Sequence, residues 1–227
     1  MNYNLKYLVL ILFILASCKN DHSPSKAIKR PTAEIDNTPP SQSDNRPKDK
    51  RMSWQKPEEV IQSLGNIEDK VIADIGAGIG YFSFKLLPKS KKVISIDIDP
   101  ESTQILEAFK STLRDDLMER FDVRLATPTD PQLKEEEVDI LFIVNTIAYL
   151  TPRVAYLKNI KKALKDGGKI FIVDFKTKQM PDFVNAPAYD QRLYLHVVEE
   201  QLEAAGYTNI TTDDTSLEYQ YMVTASK

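Results

Sequence analysis

The stretch VIADIGAGIGYFSFKLL, Val71 to Leu87, sets three glycines between an apolar run and a segment with helical spacing. The run ending at Asp74 reads as a strand buried on both faces, and Phe82, Phe84 and Leu87 fall in a helix that ends before Pro88. A turn of this composition brings backbone close to a ligand. Gly76 permits the tight turn, Gly78 lets the ligand approach, and Gly80 lets the helix start against the strand with no side chain between them.

On either side the chain alternates helix and strand. Pro57 suits the first turn of a helix carrying Val60, Ile61 and Leu64, closed by Gly65. KKVISIDID is a second strand, and Ile105, Phe109, Leu113 and Leu117 form the apolar face of the helix after it. FDVRLA and VDILFIV are the third and fourth strands. Thr151 caps a helix begun by Pro152, with Val154, Leu157, Ile160 and Leu164 inward, and Gly167 and Gly168 end it before the strand KIFIVDF. Leu195, Val198, Leu202 and Ala205 make a last helical face, stopped by Gly206, and TNITTDD and LEYQYMVTA are two closing strands. Continuous apolar strands separated by helices define an α/β chain whose mostly parallel sheet is covered on both faces.

Asp97 ends the second strand, 23 residues beyond Asp74. A carboxylate there accepts both hydroxyls of a ribose. Two nucleoside ligands share this geometry. A nicotinamide dinucleotide asks for G-x-G-x-x-G and a pyrophosphate on the helix terminus, whereas here the spacing is G-x-G-x-G and Tyr81 stands where the last dinucleotide glycine belongs. Asp74, immediately before the loop, repels pyrophosphate and suits an ammonium group. A ribose joined to an amino acid therefore fits better than a ribose joined to two phosphates.

With VIADIGAGIGYFS, VISIDID, VDILFIVNTIAYL and LKNIKKALKDGGKIFIVDF in this order, the chain resembles the class I S-adenosylmethionine-dependent methyltransferases from Trp54 to Ser226. The resemblance implies a Rossmann-like, doubly wound, seven-stranded, mostly parallel sheet with an antiparallel final strand. It also implies S-adenosyl-L-methionine as cofactor and a methyl acceptor that is a small molecule, a lipid or a protein. Carried over by position, Asp74, Gly76, Ala77, Gly78 and Gly80 hold the methionine portion, with Tyr81 a further cofactor-binding candidate, Asp97 holds the ribose, Ile98 flanks the adenine, the backbone near Thr127 meets the adenine edge, and Asn145 lines the neighbourhood of the sulfonium. A closer bacterial group shares WQKP before the first helix and YQY in the last strand. It tends to place a tyrosine and histidines after the Asn-Thr pair, where this chain has Ile147, Ala148 and Tyr149. Trp54, as a lid or as cover for the sheet edge, and Tyr149 are the candidates on the acceptor side. Of Tyr81 and Phe82, one is expected towards the ligand and one towards the core. Asp99 reads as a loop or helix-start residue and His196 as structural. His22 and His196 lack the spacing of a zinc site, so no metal is assigned. The acceptor choice is expected in the insert between Phe175 and Leu195.

The 227 residues carry 30 Lys and Arg against 33 Asp and Glu, a formal net charge of −3. The basic residues are scattered without an aromatic stripe and no Asn-Pro-Pro-Tyr-like element follows the fourth strand, so a nucleic-acid groove is not expected. Tyr7 to Ala16 is apolar but shorter than the roughly 20 residues of a membrane span, and Ala16 and Ser17 precede Cys18, the only cysteine. That arrangement resembles a bacterial lipoprotein signal, with residues 1–17 removed, Cys18 lipidated, residues 18–53 a proline-punctuated linker, and residues 54–227 the domain. The domain would then belong to a membrane-anchored lipoprotein, periplasm-facing or on the outer membrane, away from where the cofactor is made. The alternatives are a cytoplasmic protein whose signal does not act, and a non-catalytic, membrane-tethered module that binds S-adenosylmethionine or a nucleoside.

Overall fold

The structure, a computed structural model, describes residues 50–227. The expected signal, Cys18 and the linker as far as residue 49 lie outside the described residues. Seven strands form one sheet: β1 Val71–Ile75, β2 Lys92–Asp97, β3 Phe121–Leu125, β4 Val138–Val144, β5 Leu164–Phe175, β6 Thr208–Asp213 and β7 Gln220–Ser226. Their order is β3-β2-β1-β4-β5-β7-β6. The first five are parallel, and β7 runs antiparallel to both β5 and β6. The chain reverses direction across the sheet between β1 and β4, which places the ligand crevice of such a fold at the carboxyl ends of these two strands.

The helices are α1 Lys50–Gln55, α2 Pro57–Gln62, α3 Ser83–Leu86, α4 Pro100–Lys110, α5 Asp115–Met118, α6 Arg153–Lys161 and α7 Leu195–Ala204. Strand residues alternate between two cores. Ala73, Ile94, Leu141, Ile143, Ile170 and Val223 pack with Leu157 and Ile160 of α6 and Val198 and Leu202 of α7. Ile72, Val93, Ile140, Phe142 and Phe171 pack with Val60, Ile61, Phe82, Leu86 and Leu106 on the opposite face. Phe142 and Phe171 stack across β4 and β5 with centroids 5.8 Å apart.

Four elements differ from the sequence expectation. Helix α1 begins at Lys50, ahead of Trp54, because Trp54 packs on Phe175 and Gln55 is fully buried, which draws the preceding turn into the fold. The helix expected to run to Leu117 stops at Lys110. Its core contacts are Thr103 and Leu106, while Phe109 is about half exposed and touches Phe84 by its edge. Thr151 is not the cap of α6, which has Pro152 in that position. Leu164 already belongs to β5, so Gly167 and Gly168 sit in a register shift between β4 and β5 instead of closing a helix.

Gly80 is the packing glycine. Its φ is +91°, and a Cβ there would come within 2.5 Å of Phe84 and 2.7 Å of Leu106. Gly80→Ala is expected to destabilise the fold by roughly 2 kcal/mol or more, from overpacking added to a left-handed backbone. Urea unfolding measures it, and a midpoint equal to wild type would show that this approach is not tight.

Candidate functional site

The glycine loop is built by backbone hydrogen bonds turned inwards. The N–H groups of Gly76 and Ala77 both donate to the Ile96 carbonyl at 2.8 and 3.0 Å, and that of Gly80 donates to Ala77 O. The N–H of Gly78 donates to Asp97 Oδ2 at 2.7 Å, and Asp99 N donates to Asp97 Oδ1 at 2.9 Å. A loop with its donors used in this way, before a helix of four residues, lacks the free N–H fan that cradles pyrophosphate. Asp97 thus has a second task beside any ribose: it holds the loop. A Cβ on Gly78 would meet nothing within 4 Å, so this side of the loop is open. Gly76 is different. Its Cβ would lie 2.2 Å from Thr146 Oγ1, so the loops after β1 and β4 touch at a point with no room for a methyl group.

Two cavities flank that contact, and both include Gly76 and Thr146. The first, about 380 Å³, lies over the ends of β1 and β2 and is walled by Asp97, Ile98, Thr127, Tyr149 and Tyr156, among others. The second, about 310 Å³, holds Arg51, Asp74, Ala77, Gly78, Tyr81 and Asn145. Ile98 and Tyr149 are mostly exposed, as walls of an open nucleoside-sized cavity. Gly80 lines neither. Trp54, a candidate on the acceptor side, is buried against Phe175 and Val184 and lines neither cavity; it is hydrophobic cover, but for the end of the interior strand β5 and not for a sheet edge. Tyr149, the other such candidate, stands at the nucleoside-sized end. Phe82 is in the core and Tyr81 faces the second cavity. Asp99 caps α4, accepting from Glu101 N and Ser102 N. His196 lines a separate surface pocket with Lys176 and Tyr194. Among the described residues no cluster could hold a metal ion.

Asp74 is the buried charge of the site. Ser95 Oγ donates to Ser83 Oγ at 2.7 Å, and Ser83 Oγ donates to Asp74 Oδ2 at 2.6 Å. Burial is the main influence and pushes its carboxyl up to about 6, opposed by the Ser83 bond and the Arg51 cation and aided by the neighbouring Asp97. Arg51 lies over the Tyr81 ring, 3.8 Å from its centroid. Sequence reading missed Arg51, which lies in a stretch of linker-like composition. It also missed Thr146 and Tyr156, which carry no motif of their own.

The comparisons agree with this geometry. Residues 73–170 match a family described as a methyltransferase domain. The chain is 27% identical over 162 residues to phosphoethanolamine N-methyltransferase 1 of Zea mays, covering 69% of this chain and 32% of that protein. It is 25% identical over 122 residues to the tRNA U34 carboxymethyltransferase of Campylobacter fetus, covering 54% of this chain and 42% of that one. The chain therefore spans about a third of the maize relative's length and less than half of the bacterial one's. A SAM-dependent methyltransferase from Aquifex aeolicus superposes with a TM-score of 0.70 at 22% identity, covering 78% of this chain and 92% of that one. The fold is that of the class I S-adenosylmethionine-dependent methyltransferases, and residues 73–170 form its methyltransferase-like centre.

The raised carboxyl of Asp74 predicts a pH signature. A folded-state value of about 6 against 3.8 in the unfolded chain means that its contribution to stability is fully present below pH 3.8 and is lost as pH rises through 6. Asp74→Asn should therefore gain on wild type as pH rises from 4 to 7, by up to about 3 kcal/mol. Urea midpoints of both proteins across that range test this, and parallel curves would show that Asp74 is not buried as a charge.

Proposed function

We propose that the domain binds S-adenosylmethionine across the Gly76–Thr146 contact and transfers its methyl group to a small-molecule, lipid or protein acceptor. One observation carries the reading: two adjoining cavities, one with the carboxylate of Asp97 and the other with that of Asp74, match a ligand with a nucleoside at one end and an ammonium at the other. Asp97 would accept from the ribose hydroxyls, Ile98 and Thr127 would border the base, and Asp74 would pair with the ammonium. Asn145, next to Thr146 at the contact with Gly76, would stand between the sulfonium and the amino-acid end. The cofactor supplies the methyl group and its leaving group. The protein contributes alignment, exclusion of water and a place for the acceptor's proton, so no catalytic triad is required.

The relatives' names point to two different acceptors, a phosphobase in one and a tRNA nucleoside in the other, so neither is carried to this chain. The scattered basic charge argues against a nucleic-acid acceptor. Binding without turnover is the second reading, motivated by Ile147, Ala148 and Tyr149 in place of the tyrosine and histidines of the resembling bacterial group.

Calorimetry of the full-length protein with S-adenosylhomocysteine tests the binding reading. Micromolar affinity is expected, weakened by roughly 2 kcal/mol or more in Asp97→Ala through loss of a charged acceptor. No heat and no thermal shift at millimolar ligand would refute it.

The N-terminal reading stands beside this as a proposal of its own: Cys18 is lipidated and anchors the domain to a membrane facing away from the cytoplasm. Its support is the apolar run, the small residues Ala16 and Ser17, and the polar segment after Cys18. Acyl chains contribute about 0.8 kcal/mol per buried methylene, so several on one residue hold a protein durably. Cys18→Ser is expected to leave an unprocessed precursor or release the protein from membranes. Intact-mass analysis that finds an unmodified chain starting at Met1 in the wild type would overturn the anchor.

A further inference from the structure

A chain of side-chain hydrogen bonds joins the first described helix to β7 and has both of its ends at the second cavity. Arg51 Nε donates to Gln55 Oε1 within α1. Gln55 Nε2 donates to Gln220 Oε1 at 3.1 Å, and Gln220 Nε2 donates to Asn145 Oδ1. Both glutamines are fully buried, at 0% exposure, among the few polar side chains of the core. Asn145 is held at φ +58°, a left-handed conformation that asparagine tolerates better than most residues, and its N–H donates to Val173 O at 2.9 Å. Arg51 and Asn145, the two ends, both line the cavity that contains Asp74.

Every bond in the chain runs in one direction, from the guanidinium to the asparagine. Each glutamine accepts with its oxygen and donates with its nitrogen, so neither amide can be reversed without losing both bonds. Asn145 is thereby oriented: its oxygen receives Gln220, and its nitrogen, with two donors, is the group it offers a ligand. Bonds aligned in this way polarise one another, and the cation at the start strengthens that polarisation. The cavity then presents two kinds of chemistry, an acceptor at Asp74 and donors at Arg51 and Asn145. That is the complement of an α-amino acid, with ammonium on one side and carboxylate on the other.

We propose that Gln55 and Gln220 are positioning residues, which fix Asn145 as a donor so that Arg51 and Asn145 together read the carboxylate of the cofactor's amino-acid end. This rests on the S-adenosylmethionine reading above. It adds a requirement that neither the glycine loop nor Asp97 supplies, since the residues involved lie on α1, on β7 and after β4.

The test is a comparison of two ligands on the full-length protein: S-adenosylhomocysteine, and 5′-methylthioadenosine, which keeps the nucleoside thioether and lacks the amino acid. Gln220→Met should weaken S-adenosylhomocysteine about 10-fold, the loss expected when a donor to a charged group is misdirected, while 5′-methylthioadenosine stays within about 2-fold. Gln55→Met should give the same split, which keeps the test decisive if one variant fails to fold. The double variant should lose no more than the weaker-binding single, because one break already disables the chain. Equal losses for both ligands would mark the glutamines as merely structural, and unchanged affinities or additive losses would likewise overturn the proposal. If wild type binds neither ligand, the cofactor reading itself fails, an outcome distinct from loss of discrimination in the variants.

Discussion

The contact between Gly76 and Thr146 is the constraint on which the site depends. Strands β1 and β4 are neighbours whose chains leave in opposite directions, and their exit loops must meet somewhere above the sheet. They meet where a hydrogen replaces a side chain, and a methyl group would lie 2.2 Å from a hydroxyl oxygen. Because the loops are that close, the crevice has a saddle with a cavity on each side. The arrangement separates Asp97 from Asp74, and a ligand spanning both would have to cross the saddle. The reacting centre of such a ligand would then lie above the point where the two loops touch.

The carboxylates on the two sides differ in kind. Asp97 is tied to two backbone N–H groups and works as part of the loop's scaffold. Asp74 is sunk beneath the loop with a serine pair as its hydrogen-bonding support, and burial raises its proton affinity. A buried carboxylate of this sort costs stability when ionised and recovers part of that cost when a cation arrives. The free protein is thus less stable at neutral pH than the same fold with Asp74 neutral, a burden consistent with a group kept for binding.

Much of this was legible in sequence because it is local. The strand, the glycine spacing, Asp74 and Asp97 all fall within 27 residues, from Val71 to Asp97, and each residue's role follows from its immediate neighbours. Gly80 indeed serves helix packing. Gly76, however, is required by Thr146, 70 residues away, which no spacing rule reveals. The same limit explains Arg51, Gln55 and Gln220, polar residues in unremarkable surroundings until α1 and β7 are brought against the end of β4. Apolar periodicity also overran its range: Phe109 continues the helical pattern of Ile105 but is half exposed beside Phe84, and α4 ends at Lys110, so Leu113 and Leu117 reach the core from beyond it. Trp54 was ambiguous for the opposite reason, since a large aromatic ahead of a helix suits a lid and a hydrophobic cover equally well.

Gln220 opens β7, which follows every other described strand in the sequence. A ribosome releases a chain from its first residue to its last, so the glycine loop, both carboxylates and Asn145 are all made before their final support. Until β7 threads between β5 and β6, Gln55 has no partner across the sheet and Asn145 has nothing to orient its amide. The cleft is therefore completed later than its parts: a chain interrupted between Phe175 and Gln220 would hold the glycine loop, both carboxylates and Asn145 and still lack the side chain that orients Asn145.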